Sequence, residues 1–217
     1  SIESYRNVSC YGVADGYIEA VADGGTGPFT YLWDDASVQI TNVASNLDIG
    51  TYTIVITDAN GCTSSAIADI SQPDSLYTVL NATETSCQGS SDGTAFGITF
   101  GGVGPYIYNW NDPSSQTSVT ATGLSSGSYS LVVTDANGCT ARQVIQVTDP
   151  AVLVLGGTIT DVSCNGANDG VLNASVSGGI PPYVYTWSDG STDNPRSNLA
   201  PGVYGITITD QGAASVQ

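Results

Sequence analysis

The chain has 217 residues and a formal net charge of −17, because three arginines and no lysine or histidine stand against 20 acidic residues. Such a surface offers no basic patch to nucleic acid, and no apolar run is long enough to span a membrane, so neither nucleic acid nor membrane insertion is expected of this segment. The absence of His and Lys removes Ser-His-Asp and Cys-His catalysis, His-ligated metals and Schiff-base chemistry, which argues against an enzyme.

One pattern recurs along the chain at a constant offset, which is the distance from Cys10 to Cys87 and from Cys87 to Cys164. Ser9-Cys10, Asp15-Gly16 and Trp33 all reappear twice. The repeat predicts three modules, which we call copies 1 to 3: residues 1–72 with the first strand partly missing, 73–149, and 150–217 with the last strand mostly missing. The third copy is two residues shorter in the loop after its Trp.

Each copy has the composition of a β-sheet module. Gly, Asn, Asp, Ser and Pro interrupt the chain about every 8 to 12 residues, and Val, Ile, Thr and Tyr fill the runs between them. In copy 2 these runs predict strands near residues 76–81, 94–100, 106–110, 117–124, 128–134 and 140–147. Asn-Gly pairs, such as Asn137-Gly138, predict a tight turn before the last strand.

Aromatic residues at repeated positions predict the core and the fold class. We expect each Trp to be buried, and each Tyr of the Gly-x-Tyr motif to be a core residue placed like the tyrosine corner of immunoglobulin-like domains. These residues are Trp33, Trp110, Trp187, Tyr52, Tyr129 and Tyr204. The predicted fold is all-β, a tandem array of three Ig-like (PKD-like) β-sandwich modules. With almost no linker between copies, the modules are expected to stack head to tail into a rod.

Five cysteines occupy two repeated places, read as lying before the second strand (Cys10, Cys87, Cys164) and after the sixth (Cys62, Cys139). Regular cysteines in small β modules indicate an oxidising compartment. Two pairings remain open: Cys10–Cys62 with Cys87–Cys139 inside copies, or Cys10–Cys139 between copies. If the second and sixth strands run in the same direction, the two cysteines of one copy lie at opposite ends, which favours the pairing between copies. Ala213 stands near the place of the missing sixth cysteine.

Repeated acidic turns are the candidate metal ligands. Carboxylates in loops can bind Ca²⁺, although Asp-Gly turns form for conformational reasons alone and no loop carries a complete calcium motif. No other cofactor is expected. The candidates are Asp15, Asp92 and Asp169 in one loop, and Asp58, Asp135 and Asp210 in another.

The motifs together resemble a known repeat. Ser-Cys-x-Gly-x-x-Asp-Gly, then Gly-Gly-x-x-Pro-Tyr-x-Tyr-x-Trp, then Gly-x-Tyr followed by Asp-Ala-Asn-Gly-Cys-Thr resemble the SprB-type repeat of Bacteroidota gliding-motility adhesins and related large surface proteins. Copy 1 departs from it at Phe29, and copy 3 lacks Asn-Gly-Cys. The resemblance implies an extracellular cell-surface protein, exported by type IX secretion, whose repeats build filaments for adhesion or gliding.

Two functions follow from this sequence. The first is a structural one, an extended stalk whose partners are adjacent repeats of the same chain and, by lateral self-association, other chains. The alternative is a module that binds polysaccharide or other surface proteins through the loops that follow Trp33, Trp110 and Trp187.

Overall fold

The computed structural model describes residues 1–217, and its regular secondary structure consists of β-strands alone. Close packing divides the chain into two compact units. One contains residues 1–79, 98–109 and 132–143, and the other contains 80–97, 110–131 and 144–217. The division passes through copy 2, so the three predicted module boundaries stay a prediction.

Six strands occur in each copy. In copy 1 they are β1 Ile2–Arg6, β2 Gly16–Ala20, β3 Thr30–Trp33, β4 Val43–Leu47, β5 Gly50–Thr57 and β6 Thr63–Ile70. In copy 2 they are β7 Tyr77–Thr83, β8 Gly93–Phe100, β9 Ile107–Trp110, β10 Thr120–Leu124, β11 Gly127–Thr134 and β12 Thr140–Val147. In copy 3 they are β13 Val154–Thr160, β14 Gly170–Ser177, β15 Val184–Trp187, β16 Arg196–Leu199, β17 Ile206–Thr209 and β18 Ser215–Val216.

Each copy forms two three-stranded sheets with the same strand order. In copy 1 the orders are β1-β2-β4 and β3-β5-β6, and in copy 2 they are β7-β8-β10 and β9-β11-β12. Copy 3 repeats them as β13-β14-β16 and β15-β17-β18. The first, second and fourth strands of each copy form one sheet, and the third, fifth and sixth form the other. This is the A-B-E and C-F-G arrangement of immunoglobulin-like sandwiches. The predicted all-β, Ig-like fold is confirmed.

The core of copy 1 lies between its two sheets. Trp33 packs there with Ile18 and Ile54, and all three are at most 1% exposed. Trp110 and Trp187 are buried in the same way. The indole Nε1 of Trp33 donates to the Thr41 carbonyl at 2.9 Å, so its one polar atom is satisfied.

The repeated tyrosines lie at the edge of the core. Their hydroxyls donate to a carbonyl four residues upstream, Tyr52 to Asp48 at 3.0 Å and Tyr129 to Ser125 at 3.0 Å, as in a tyrosine corner. Tyr204 donates to Ala200 at 2.9 Å. All three are half-buried, because a hydroxyl that must reach a loop carbonyl keeps part of its ring at the surface.

Two details differ from the sequence-based description. The fourth strand of copy 2 begins at Thr120 and not near 117, because the preceding residues form a turn around Asp112. The second and sixth strands of copy 1 run in opposite directions. A Cβ on Gly16, where β2 begins, would lie 2.9 Å from the Ile70 side chain, where β6 ends.

Candidate functional site: the joints between copies

Cys62 and Cys139 precede the sixth strand, in the turn that follows the fifth. The sequence-based placement after the sixth strand was wrong, as was the parallel orientation of the second and sixth strands. The two errors offset each other, so the predicted placement of the two cysteines at opposite ends of a copy still holds. Since β6 runs opposite to β2, a residue just before β2 and a residue just before β6 still lie at opposite ends of copy 1.

The first joint holds a disulfide between neighbouring copies. Cys10 of copy 1 is bonded to Cys139 of copy 2, with their Cα atoms 5.8 Å apart and 129 positions separating them in sequence. That Cα separation lies within the normal range for a disulfide. Cys62 and Cys87 are free, so neither within-copy pair is present.

A buried carboxylate shapes the half of this joint that carries Cys139. Asp135 is 4% exposed, and its Oδ1 accepts the backbone N–H groups of Asn137 and Cys139, each at 2.9 Å. Its Oδ2 accepts the N–H of Val103 at 2.9 Å. Burial alone would raise the pKa of Asp135, but these donors outweigh it and hold the pKa below its usual value. Asp135 therefore holds the backbone of the turn that ends at Cys139 and ties it to the loop at Val103.

A second carboxylate shapes the half that carries Cys10. Asp15 Oδ1 accepts the backbone N–H of Ser9 at 2.8 Å, and hydrogen bonds from Ser9 lower the pKa of Asp15. The Ser9 carbonyl in turn accepts Asn137 Nδ2 at 2.8 Å, across the joint. The two halves are thus connected by a hydrogen bond beside the disulfide.

The residues that follow the boundary between copies 1 and 2 dock on a pair of glycines in copy 2. Gly101 and Gly102 have φ angles of 66° and 65°, a conformation that glycine adopts without strain. The Gly102 N–H donates to the Asp74 carbonyl at 2.8 Å, and a Cβ on Gly101 would overlap the Ser75 carbonyl. Leu76 Cδ1 lies only 3.0 Å from where a Cβ of Gly102 would be. We call this pair of glycines with its neighbours the glycine cradle.

The second joint repeats the first without the disulfide. Gly179 donates to the Ala151 carbonyl at 2.7 Å, and Leu153 lies against Gly179 as Leu76 lies against Gly102. The Asp210 N–H donates to the Ala214 carbonyl at 3.0 Å, as Asp135 does to Cys139 at 2.9 Å. Ala214, and not Ala213, therefore occupies the place of the missing cysteine. Cys87 and Ala214 line one cavity of about 210 Å³.

The six candidate calcium ligands lie in the loops and turns that carry the cysteines and in the equivalent turn of copy 3. Five of them serve as acceptors for backbone N–H groups of a cysteine loop or turn: Asp15, Asp92, Asp169, Asp58 and Asp135. Asp210 does the same for the turn that ends at Ala214. No three His, Cys, Asp or Glu side chains come together in a group able to hold a metal ion. The observed role of these carboxylates is turn formation, and calcium binding stays a prediction.

The loops after the tryptophans are closed by carboxylates that the sequence analysis missed. Asp35 is 6% exposed and accepts the N–H groups of Ser37 at 3.0 Å and Gln39 at 2.9 Å. Asp112 does the same in copy 2 with Ser114 and Gln116. In copy 3 the exposed Asp189 pairs with Arg196, which lowers the pKa of Asp189 to about 2. The sequence carries one signal that could have identified these carboxylates, because Asp35 and Asp112 are separated by the same offset as the repeated cysteines.

Comparison with known proteins supports the sequence-based resemblance. The model of the SprB repeat family matches residues 3–38 and 156–192, which lie in copies 1 and 3. The predicted SprB-type repeat is confirmed for these two ranges, about a third of the chain. No curated protein matches the chain. No helix in the structure is long and apolar enough to span a membrane.

Solved structures that resemble the chain contain immunoglobulin domains. A Dscam structure that addresses isoform specificity has 14% identity to this chain and a TM-score of 0.30, and the match covers 68% of this chain and 46% of the Dscam chain. The amphioxus IgVJ-C2 molecule has 13% identity and a TM-score of 0.29, with coverage of 61% and 94%. Dpr2 Ig1-Ig2 with DIP-Theta Ig1-Ig3 gives 12% identity, a TM-score of 0.28, and coverage of 90% and 82%. The chain thus spans less than half of the Dscam chain. At such TM-scores the fold assignment rests on the strand order of each copy.

Proposed function

We propose that this chain is a structural segment of a secreted cell-surface adhesin or filament, in which neighbouring repeats are joined to act as one mechanical element. The observation that carries the proposal is the Cys10–Cys139 disulfide between copies. A disulfide inside a module stabilises that module, whereas one between modules restricts the joint. Because two carboxylates and a cross-joint hydrogen bond hold the cysteine loops, the restriction does not depend on the sulfur atoms alone.

Two further observations support an extracellular location. Disulfides persist in oxidising compartments, which favours export over a cytosolic role. The SprB-repeat match agrees with a surface protein, and export by type IX secretion and a part in gliding belong to the same proposal.

Antibodies raised against the folded 217-residue chain test the location. They should label intact cells of the source organism and lose their target when those cells are treated with protease. Mutant cells in which both Cys10 and Cys139 codons are changed to Ser should keep surface labelling but lose adhesion under flow, or gliding, relative to the parent. Labelling only after permeabilisation contradicts the surface role, and unchanged adhesion and gliding contradict the mechanical one.

Binding of polysaccharide through the loops after the tryptophans is the less supported function. In copies 1 and 2 these loops are the same carboxylate-closed turn, and the neighbouring Tyr31 and Tyr108 are half-buried rather than displayed. A glycan array with the folded chain tests it directly. Reproducible micromolar binding that is lost on replacing the exposed Ile40 in the copy 1 loop would favour this function over the structural one.

A further inference from the structure

The outer face of one sheet in copy 2 carries a group of exposed apolar side chains. Buried and exposed residues alternate along β7 and β8, and the outward positions include Tyr77, Val79, Ile98 and Phe100, which are 44% to 51% exposed. The rings of Tyr77 and Phe100 stack across the two strands with their centroids 5.0 Å apart, so the two rows share one face. Phe96 continues the row along β8. We call Tyr77, Val79, Ile98 and Phe100 the apolar face.

The apolar face is particular to copy 2. Phe100 corresponds by the constant offset to Asp23 in copy 1 and to Ser177 in copy 3. Ile98 corresponds to a valine in copy 1 and to Ser175 in copy 3. Since all three copies have the same strand order, these apolar side chains are not needed to build the module. They lie on the outside of a complete three-stranded sheet, β7-β8-β10, where a polar side chain would be equally compatible with the fold.

The sheet that carries the apolar face has no charge. No residue of β7, β8 or β10 is acidic or basic, although the chain has a net charge of −17. A basic partner finds no carboxylate there for an ion pair, and a saccharide hydroxyl placed on Val79 or Ile98 meets a side chain without a hydrogen-bonding atom. Two copies of this acidic chain repel each other through their charged surfaces, and here they can meet without that repulsion. The partner that suits the apolar face is therefore the same face of a second chain.

The size of the face sets the strength of such a contact. Four half-exposed side chains of these types offer on the order of 350 Å² of apolar surface, whereas a standard stable interface buries about 800 Å² on each partner. Two sheets that pack face to face, about 10 Å apart, bury a flat face of this kind. We expect a weak and reversible contact, with a dissociation constant of about 10 to 100 μM.

We propose that the apolar face of Tyr77, Val79, Ile98 and Phe100 is a homophilic contact, through which copy 2 of one chain packs against copy 2 of a second chain. The two sheets meet about a twofold axis, so each apolar face lies against its own counterpart. The inference rests on the residues of copy 2 and holds whether or not the chain has the mechanical role proposed above.

Sedimentation velocity of the folded chain tests this contact. Cys62, Cys87 and Cys164 are first alkylated, so that no dimer can be covalent. Between about 1 μM and about 500 μM protein, we expect a reversible equilibrium between monomer and dimer. Added sodium chloride should strengthen dimerisation, because salt screens the repulsion between two acidic chains. A contact made by ion pairs would weaken instead.

A matched pair of variants locates the contact. Ile98→Glu places a carboxylate on the apolar face and, by the twofold symmetry, two carboxylates in one contact, so dimerisation should weaken by at least about tenfold. Ile107→Glu makes the same exchange at a 67% exposed position in the other sheet of copy 2 and should dimerise like wild type. Thermal unfolding verifies that both variants are folded. A chain that stays monomeric, even one that binds a glycan through Ile98, would overturn the proposal, as would weakening by salt or equal dimerisation of the two variants.

Discussion

When the chain is pulled from its two ends until it unfolds, the disulfide between copies should shorten its extension. The bond between Cys10 and Cys139 closes a loop with a sequence separation of 129 residues. At about 3.5 Å per extended residue, that loop withholds about 450 Å of contour length. The oxidised chain of 217 residues should therefore extend to only about 300 Å when fully unfolded, and the reduced chain to about 750 Å.

Optical tweezers, with handles attached at both termini by peptide tags, measure this difference on single molecules. Cys10→Ser should give the long extension without reductant. Cys87→Ser removes a free thiol and should keep the short one. The within-copy alternative is distinguishable, because Cys10–Cys62 and Cys87–Cys139 would withhold two loops totalling only about 360 Å, and Cys87→Ser would then release half of that length.

The same bond should stabilise the folded state. By the chain-entropy relation, closing a loop of this length lowers the entropy of the unfolded chain by an amount worth about 5 kcal/mol at 25 °C. Chemical denaturation of the oxidised and reduced chains measures the difference. Equal extensions of the two chains, or equal free energies of unfolding, would refute the account of the first joint as a covalent lock.

Three single substitutions test other parts of the joints. The Ala214→Cys substitution should give Cys87 a disulfide partner. Thiol titration of the denatured variant should then find two free thiols, where wild type has three. Four free thiols would show that the joint holds the two sulfur atoms apart. Asp135→Asn should lower the free energy of unfolding by about 1 to 3 kcal/mol at pH 7. The pKa of Asp135 is held below its usual 3.8, so the stability that its charge contributes is complete above pH 3.8 and is lost as the pH falls through the lowered pKa. The free energies of unfolding of wild type and variant should therefore converge toward pH 2. Gly101→Val should destabilise by at least about 2 kcal/mol more than Gly89→Val, which carries similar strain in open space, and equal denaturation midpoints would contradict the cradle contact.

Much of the fold was predictable because its determinants are local. Strand and turn residues alternate along the sequence, and the constant offset between copies repeated each signal three times, so the strands of copy 2 were placed to within a few residues. The tryptophans were predicted to be buried for the same reason. The tyrosines are only half-buried because each hydroxyl bonds to a loop carbonyl, a constraint that apolar periodicity does not express.

The candidate site was less predictable because it depends on contacts between distant residues. Acidic turns suggested calcium, yet a carboxylate that accepts two or three backbone N–H groups has the same sequence signature as a metal ligand. The contact of Leu76 with Gly102 joins a linker to a loop, and neither residue is distinctive alone. The place of Ala214 follows from the constant offset once the two residues missing from the loop after Trp187 are subtracted, and the hydrogen bond that closes its turn agrees with it.

Replacement of one cysteine by Ala214 gives the two joints unequal resistance to separation. The first joint must break a covalent bond to open, whereas the second, where Cys87 is free, is held by non-covalent contacts such as the close approach of the Ser86 carbonyl to Gly212. Under a rising pull the second joint should yield first and recover by simple re-docking once the pull ends. The absence of one cysteine sulfur from the second joint thus determines which joint opens first. That opening is reversible because it breaks no covalent bond.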